Sequence, residues 1–211
     1  MRLSWLIAIG LAFFAFVVLA GVEAFQQSNR LTTSMVLQTA GFVHPSDPNP
    51  FPFTLTVLQA AAPSKPDQQT SITMASLRNK PVVLNMWSSS CTICKAETPA
   101  TESVAQRVKN IVTFVGVDTL DQRDTALAFL HRYHVTYLQL FDPEAKVGSG
   151  YGIPGLPVTV FISSHDHVVG EYLGGYSAKT LTHYLATLFG VRVPLRQAAL
   201  THQERSRDVA R

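Results

Sequence analysis

The chain opens on a long uncharged run. After Met1-Arg2, positions Leu3 to Val22 read LSWLIAIGLAFFAFVVLAGV and carry no ionisable side chain. About 20 apolar residues suffice to cross a bilayer as a helix, so the pattern predicts a membrane segment over residues 1–23. Residues 24–50 turn polar and then proline-rich, with Pro45, Pro48 and Pro50 close together. Repeated proline favours an extended spacer, and 24–50 is expected to be a linker; a short helix over 30–42 is the alternative there.

From Phe53 the periodicity changes. FTLTVL alternates and is rich in β-formers, which predicts a strand. Residues 59–69 are a loop, Ser71 to Thr73 a return strand, and Met74 to Leu77 one helical turn. After Pro81, VVLNMW is a short apolar run bounded by turn residues, as in a buried central strand. A helix is expected from about Thr92 to Lys109, bent near Pro99 because proline removes an amide donor and crowds the preceding turn. Residues 111–118 repeat the buried-strand pattern, 121–133 are helical with apolar Ala126, Leu127, Phe129 and Leu130, 137–141 are a strand, and 144–151 a short helix. Val158–Ile162 and Val168–Leu173 form a hairpin. Ser177 is placed to cap a final helix that ends near Phe189. The order β-α-β-α-β, then β-β-α, requires a partly parallel sheet with helices on both faces. One domain is expected over 51–190, followed by a basic, disordered tail over 191–211.

Composition narrows the class. With 46% hydrophobic and 15% charged residues in 211, the chain is too apolar for a disordered protein. The net charge is only +3, and five of the arginines lie beyond position 191, so the domain itself is nearly neutral. No Lys/Arg stripe interleaved with aromatics and no zinc-finger spacing is present, which argues against a nucleic-acid partner. Arg2 before the apolar run and Glu23 after it orient the N-terminus toward the cytoplasm by the positive-inside rule. Val22-Glu23-Ala24 resembles a signal-peptide cleavage site, but the run exceeds the roughly 7–15 residues of a signal core. Anchor and signal readings agree that the domain lies outside the cytoplasm; the anchor reading makes it a single-pass protein of the cell membrane.

The chain holds two cysteines, Cys91 and Cys94. Two are too few for a disulfide-stapled scaffold, and a bridge over two intervening residues closes so small a loop that it stabilises the fold little on the chain-entropy account. The pair suits exchange chemistry better. It follows a predicted buried strand and opens a predicted helix. There, unsatisfied N–H groups and the macrodipole favour an anion, and a thiolate is the attacking species. Cys91, at the mouth of the helix, is the expected nucleophile. Cys94, a turn inward, is expected to resolve the mixed disulfide.

The segment NMWSSSCTICKAETP resembles the WxxxCxxC active-site segment of thioredoxin-like proteins, and specifically the membrane-anchored TlpA/ResA-like group associated with cytochrome c maturation. Asn85, the strand-end Trp87, Glu97 three residues after Cys94, and the helix-bending Pro99 carry the likeness. A second match, Gly155-Leu156-Pro157-Val158-Thr159, resembles the cis-proline loop of that fold, with Pro154 the competing proline. The resemblance covers roughly residues 50–190. It implies a thioredoxin-like three-layer α/β fold with a mixed central sheet, an N-terminal β-hairpin and one preceding transmembrane helix. It implies Glu97 as a proton-handling acid, and Leu156, Pro157 and Trp87 as the substrate-binding surface. It implies no cofactor beyond the redox-active Cys91–Cys94 disulfide, protein disulfides as substrates, a membrane thiol as electron donor, and a monomer.

Ser90 and Ile93 depart from the group, which usually has tryptophan before the first cysteine and often proline before the second. They bear on reduction potential, and so on direction and substrate. The competing activities are a disulfide-forming oxidase, a thiol peroxidase and a non-catalytic tethered binding module. The chain lacks the long helical insertion of DsbA-like oxidases. The Pro-x-x-x-Thr/Ser-x-x-Cys peroxidase motif finds its serine in Ser88 but Leu84 and Asn85 where proline is needed. A zinc site is disfavoured, since structural zinc needs four ligands and no second cysteine pair exists; His131 and His134 lie far along the chain.

Overall fold

The computed structural model describes residues 41–59 and 70–193. The expected membrane segment over 1–23, the linker up to residue 40, the loop 60–69 and the tail from 194 lie outside the described residues. Among the described residues, no helix is long and apolar enough to cross a membrane.

The strands are β1 (Gly41–Val43), β2 (Thr54–Gln59), β3 (Ser71–Thr73), β4 (Val82–Trp87), β5 (Thr113–Thr119), β6 (Leu138–Asp142), β7 (Val158–Ile162) and β8 (Val168–Leu173). The helices are α1 (Thr92–Val108), α2 (Arg123–Arg132), α3 (Lys146–Gly150) and α4 (Ala178–Phe189), with a 3₁₀ turn at Met74–Leu77. All eight strands join one sheet in the order β1-β8-β7-β4-β5-β6-β2-β3. β4–β5 and β5–β6 are parallel, each pair bridged by a helix, and the remaining pairings are antiparallel. This is the mixed sheet that the element order requires.

Every residue of β4 is buried, because both of its faces are covered. Val83 and Trp87 pack with Phe161 against apolar residues of α1, α2 and α4. Val82, Leu84 and Met86 face the other way, onto Met74 and Leu77 of the 3₁₀ turn and Val147 of α3. Two apolar layers therefore clamp the strand that carries the cysteine segment. The clamp fixes where β4 ends, and hence where α1 begins. The predicted Ser177 cap is present: its hydroxyl accepts the Thr180 N–H at 3.1 Å.

The stretch 41–43, within the expected linker, is an edge strand. β1 pairs with β8, and Phe42 stacks on Tyr184 of α4 with ring centroids 4.8 Å apart. Gly170 makes this possible, since a Cβ there would collide with the Phe42 ring.

Trp87 lies beneath the cysteine segment, 3% exposed. It stacks on Phe129 with centroids 4.5 Å apart, and its Nε1–H donates to Gln139 Oε1 at 2.9 Å. Gln139 is itself fully buried and lies across Gly116, where a Cβ would collide with its amide. Removing one partner of a buried pair costs about 1–3 kcal/mol. Trp87→Phe is therefore expected to lose stability on that scale, read as a lower urea midpoint, with the dithiol still present and titratable.

Candidate active site

β4 ends at Trp87 and the chain turns within four residues into α1. Cys91 is the N-cap, with extended backbone (φ −74°, ψ 114°). Its N–H donates to the Ser88 carbonyl at 3.1 Å, closing a tight turn, and its Sγ accepts the Cys94 N–H at 3.1 Å. A helix N-terminus offers amide donors without intrahelical partners. Here one of them points at the sulfur. Cys91 and Cys94 are joined as a disulfide, with Cα atoms 5.3 Å apart. Cys94 is fully buried, whereas Cys91 is half-buried at the surface. A partner can therefore reach the first sulfur and not the second. Pro99 lies inside α1, as predicted.

Asn85 and Glu97 belong to a buried polar network. The Asn85 side-chain amide donates to Glu97 Oε1 and to Thr159 Oγ1, both at 3.0 Å. Thr101 Oγ1 and the Tyr176 hydroxyl are 3.1 Å apart. Glu97 is 3% exposed, and its Oε2 has no hydrogen bond of ordinary geometry among the described residues. Burial pushes the carboxyl up to about 7, against the opposing pull of the Asn85 amide and, more weakly, the Tyr176 backbone N–H. Glu97 lies one helical turn from Cys94, on the same side of the helix. A group that titrates near neutrality beside a buried thiol can take up and return a proton.

The Leu156–Pro157 peptide bond is cis, which selects Pro157 over Pro154. Val158 pairs with Met86, so Pro157, one residue earlier, stands level with Trp87 where β4 ends. Leu156 is partly buried against the layer that also holds Cys91. Gly175, after β8, closes the other side: a Cβ there would sit 2.5 Å from Ile93 Cγ2 and 3.6 Å from Glu97 Oε2. Ile93 itself is 51% exposed. The rim of the disulfide is thus formed by Ile93, Leu156 and the glycine turn.

The sequence matches the AhpC/TSA family over residues 53–170, more than half of the chain. The chain belongs to the AhpC/TSA family. Among its relatives, the thiol:disulfide interchange protein DsbE of Pseudomonas fluorescens is 31% identical over 105 residues, which covers 49% of this chain and 57% of that protein. The thiol-disulfide oxidoreductase ResA of Halalkalibacterium halodurans is 28% identical over 116 residues, covering 54% and 66%. The match therefore spans just over half of the Pseudomonas relative's length. Among solved structures, a secreted Mycobacterium tuberculosis disulfide oxidoreductase homologous to E. coli DsbE superposes with a TM-score of 0.55 at 28% identity, over 64% of this chain and 94% of that one. The ResA-like resemblance of the active-site segment is borne out, and with it the thioredoxin-like fold.

Within this AhpC/TSA domain, Cys91, Cys94, Glu97, Leu156 and Pro157 lie toward one end of β4 and β7. Trp87 packs under the site rather than at its rim. Leu84 and Asn85, which occupy the positions of the peroxidase proline, are buried strand residues. Among the described residues, no group of three or more His, Cys, Asp or Glu side chains is placed to hold a metal. Thr159 of the polar network entered the sequence reading only as the last residue of the cis-proline match, and Tyr176, Asp118 and Asp121 were not singled out as site residues. Asp121 Oδ2 accepts the Ser89 N–H at 2.7 Å. Their one sequence signal is the pair of acids in VGVDTLD, at the end of a buried strand.

Proposed function

We propose that the protein is a membrane-tethered thiol–disulfide oxidoreductase that reduces disulfides of proteins outside the cytoplasm. The observation that carries this reading is the asymmetry of the pair: a reachable sulfur at a helix mouth bonded to a fully buried one. In the reduced protein, the Cys91 thiolate attacks one sulfur of a substrate disulfide. The other substrate sulfur leaves as a thiolate and takes up a proton. Cys94 then gives its proton to the Glu97 carboxylate and attacks the Cys91 sulfur, expelling the second substrate sulfur as a thiolate, which takes up the proton held by Glu97. The substrate gains two electrons and two protons, and the protein is left with the Cys91–Cys94 disulfide. The backbone of Leu156 offers an edge for an extended substrate segment. A membrane thiol carrier returns the protein to the dithiol, and the uncharged run Leu3–Val22 supports holding the domain beside that carrier. The TlpA/ResA-like segment supports apocytochrome c as a substrate class, and the relatives' names support thiol–disulfide exchange.

The reduction potential of the Cys91–Cys94 couple tests direction. A value near −300 mV, measured against glutathione or dithiothreitol buffers, is expected of a reductant, on the scale where strong oxidants lie at about −120 mV. A potential at the oxidising end would replace this reading with disulfide formation.

A further inference from the structure

The thiolate is only as stable as the geometry that aims it. Residues 88–91 alone connect β4 to α1, and 88–90 are all serine, with no apolar side chain to pin them in the core. Part of their bonding is internal: Ser88 Oγ and Ser90 Oγ lie 3.0 Å apart, and the Ser90 N–H donates to Ser88 Oγ at 3.4 Å. Among the described residues, the side chain that ties this segment to another element is Asp121. Its Oδ2 accepts the Ser89 N–H at 2.7 Å and, at 3.5 Å, the Ser88 hydroxyl.

The other end of the same carboxylate is also fixed. Asp121 Oδ1 accepts the Gln122 N–H at 2.8 Å and the Thr125 hydroxyl at 2.6 Å, at the start of α2. The chain reaches this arrangement through Leu120, which adopts the left-handed conformation (φ 55°). That conformation costs roughly 1–2 kcal/mol for a non-glycine residue and persists only where surroundings over-determine it. Burial of Leu120 does not explain the turn, because Leu120 is 69% exposed. What the turn accomplishes is the return of Asp121 to the serines.

Behind Asp121 lies Asp118, fully buried opposite Trp87, with no hydrogen bond of ordinary geometry on either carboxyl oxygen among the described residues. Burial, then the neighbouring Asp121 and the more distant Asp142, push Asp118 up to about 8. Burial also pushes Asp121 up, but the hydrogen bonds from Ser89, Thr125 and Gln122 outweigh it and hold Asp121 below the usual carboxylate range. One acid stays neutral so that the other can serve as an ionised acceptor.

We propose that Asp121 is a positioning residue for Cys91: a carboxylate strut from the start of α2 that holds the Ser88–Ser90 segment and so keeps the Cys91 sulfur aimed at the amides of α1. The inference rests on the dithiol reading above and goes beyond it, since it assigns the residue that sets how much of Cys91 is ionised. It also has a distinctive sign. By charge alone, a carboxylate near a thiolate disfavours it, so removing Asp121 would lower the Cys91 pKa. As a strut, its removal raises that pKa.

The test is a titration of the reduced full-length protein, following thiolate absorbance at 240 nm, with thermal unfolding and insulin reduction measured alongside. Asp121→Ala is expected to raise the Cys91 midpoint by about one pH unit, which leaves about tenfold less thiolate below the midpoint, and to slow insulin reduction there about as much. Asp121→Asn, which drops the charge but keeps one of the two acceptor oxygens, is expected to raise the midpoint by less than the alanine variant does. Asp121→Ser, whose hydroxyl can still cap α2, serves in the same comparison if the alanine variant does not fold. An unchanged midpoint in the alanine variant, or an equal lowering in both the alanine and asparagine variants, overturns the proposal. If the wild type fails to reduce insulin while the alanine variant still shifts the titration, the functional reading fails and the positioning role stands.

Discussion

Cys91→Ser is expected to lower insulin reduction by roughly 1000-fold or more, to the background of the reductant alone, because the attacking group is the thiolate and a serine hydroxyl does not ionise near neutral pH. Cys94→Ser is expected to fail differently. It retains the reachable sulfur, so the first attack still occurs, but nothing displaces the substrate from Cys91. A mixed disulfide should accumulate with one substrate chain per protein, visible by mass spectrometry without reductant and lost on adding it. The asymmetry follows from burial: Cys94 is fully enclosed, while Cys91 lies at the surface as the helix cap. Full activity in Cys91→Ser would remove the dithiol mechanism. A mixed disulfide trapped in Cys91→Ser, with none in Cys94→Ser, would reverse the two roles. Cys91→Ser changes a half-buried cap, and Cys94→Ser is a near-isosteric change within the apolar layer that holds Val83 and Trp87, so folding is expected to survive both.

The parts of the molecule legible in sequence are those whose signal is local. VVLNMW announces a strand buried on both faces, and it is one. Ser177 announces a helix start and caps it. The C-x-x-C spacing places both sulfurs on one turn, and the proline before a β-run proves to be the cis one. What sequence did not show depends on the rest of the fold. β1 is three residues with no alternation; it exists because β8 offers an edge and Gly170 leaves room for Phe42. Asn85 carries the family likeness in the sequence, and only the structure shows its side chain shared between Glu97 and Thr159. Asp121 lies 30 residues from Cys91 and comes to it through a left-handed turn at a leucine, which no propensity favours. Boundaries moved for the same reason. The second helix starts at Arg123 rather than Asp121, because Asp121 is engaged by the serines.

Glu97→Gln should change stability and rate in ways that separate its two roles. The folded carboxyl titrates at about 7 against 4.5 as an ordinary glutamate. Between those values the folded protein holds a proton that the unfolded chain has released, so stability is greatest below about 4.5 and falls as pH rises toward 7. The difference corresponds to roughly 3 kcal/mol at one pKa unit per about 1.4 kcal/mol. Asp118, raised to about 8, slopes in the same direction and remains in both proteins. The Gln variant minus wild type therefore isolates Glu97: urea unfolding of the oxidised proteins should show the variant gaining on the wild type by about 3 kcal/mol from pH 4 to pH 8. Oε1 of the new amide can still accept from Asn85, so the network keeps that bond. For catalysis, glutamine cannot take the Cys94 proton. Resolution of the mixed disulfide should slow by about 100-fold near neutral pH, within the usual range for general-base loss. The deficit should shrink above pH 9, where solvent deprotonates Cys94 directly. Parallel stability slopes in the two proteins would mean that Glu97 is not held neutral by burial. An unaltered resolution rate would mean that Cys94 loses its proton elsewhere, and the buried polar network of Asn85 and Glu97 would then be structural alone.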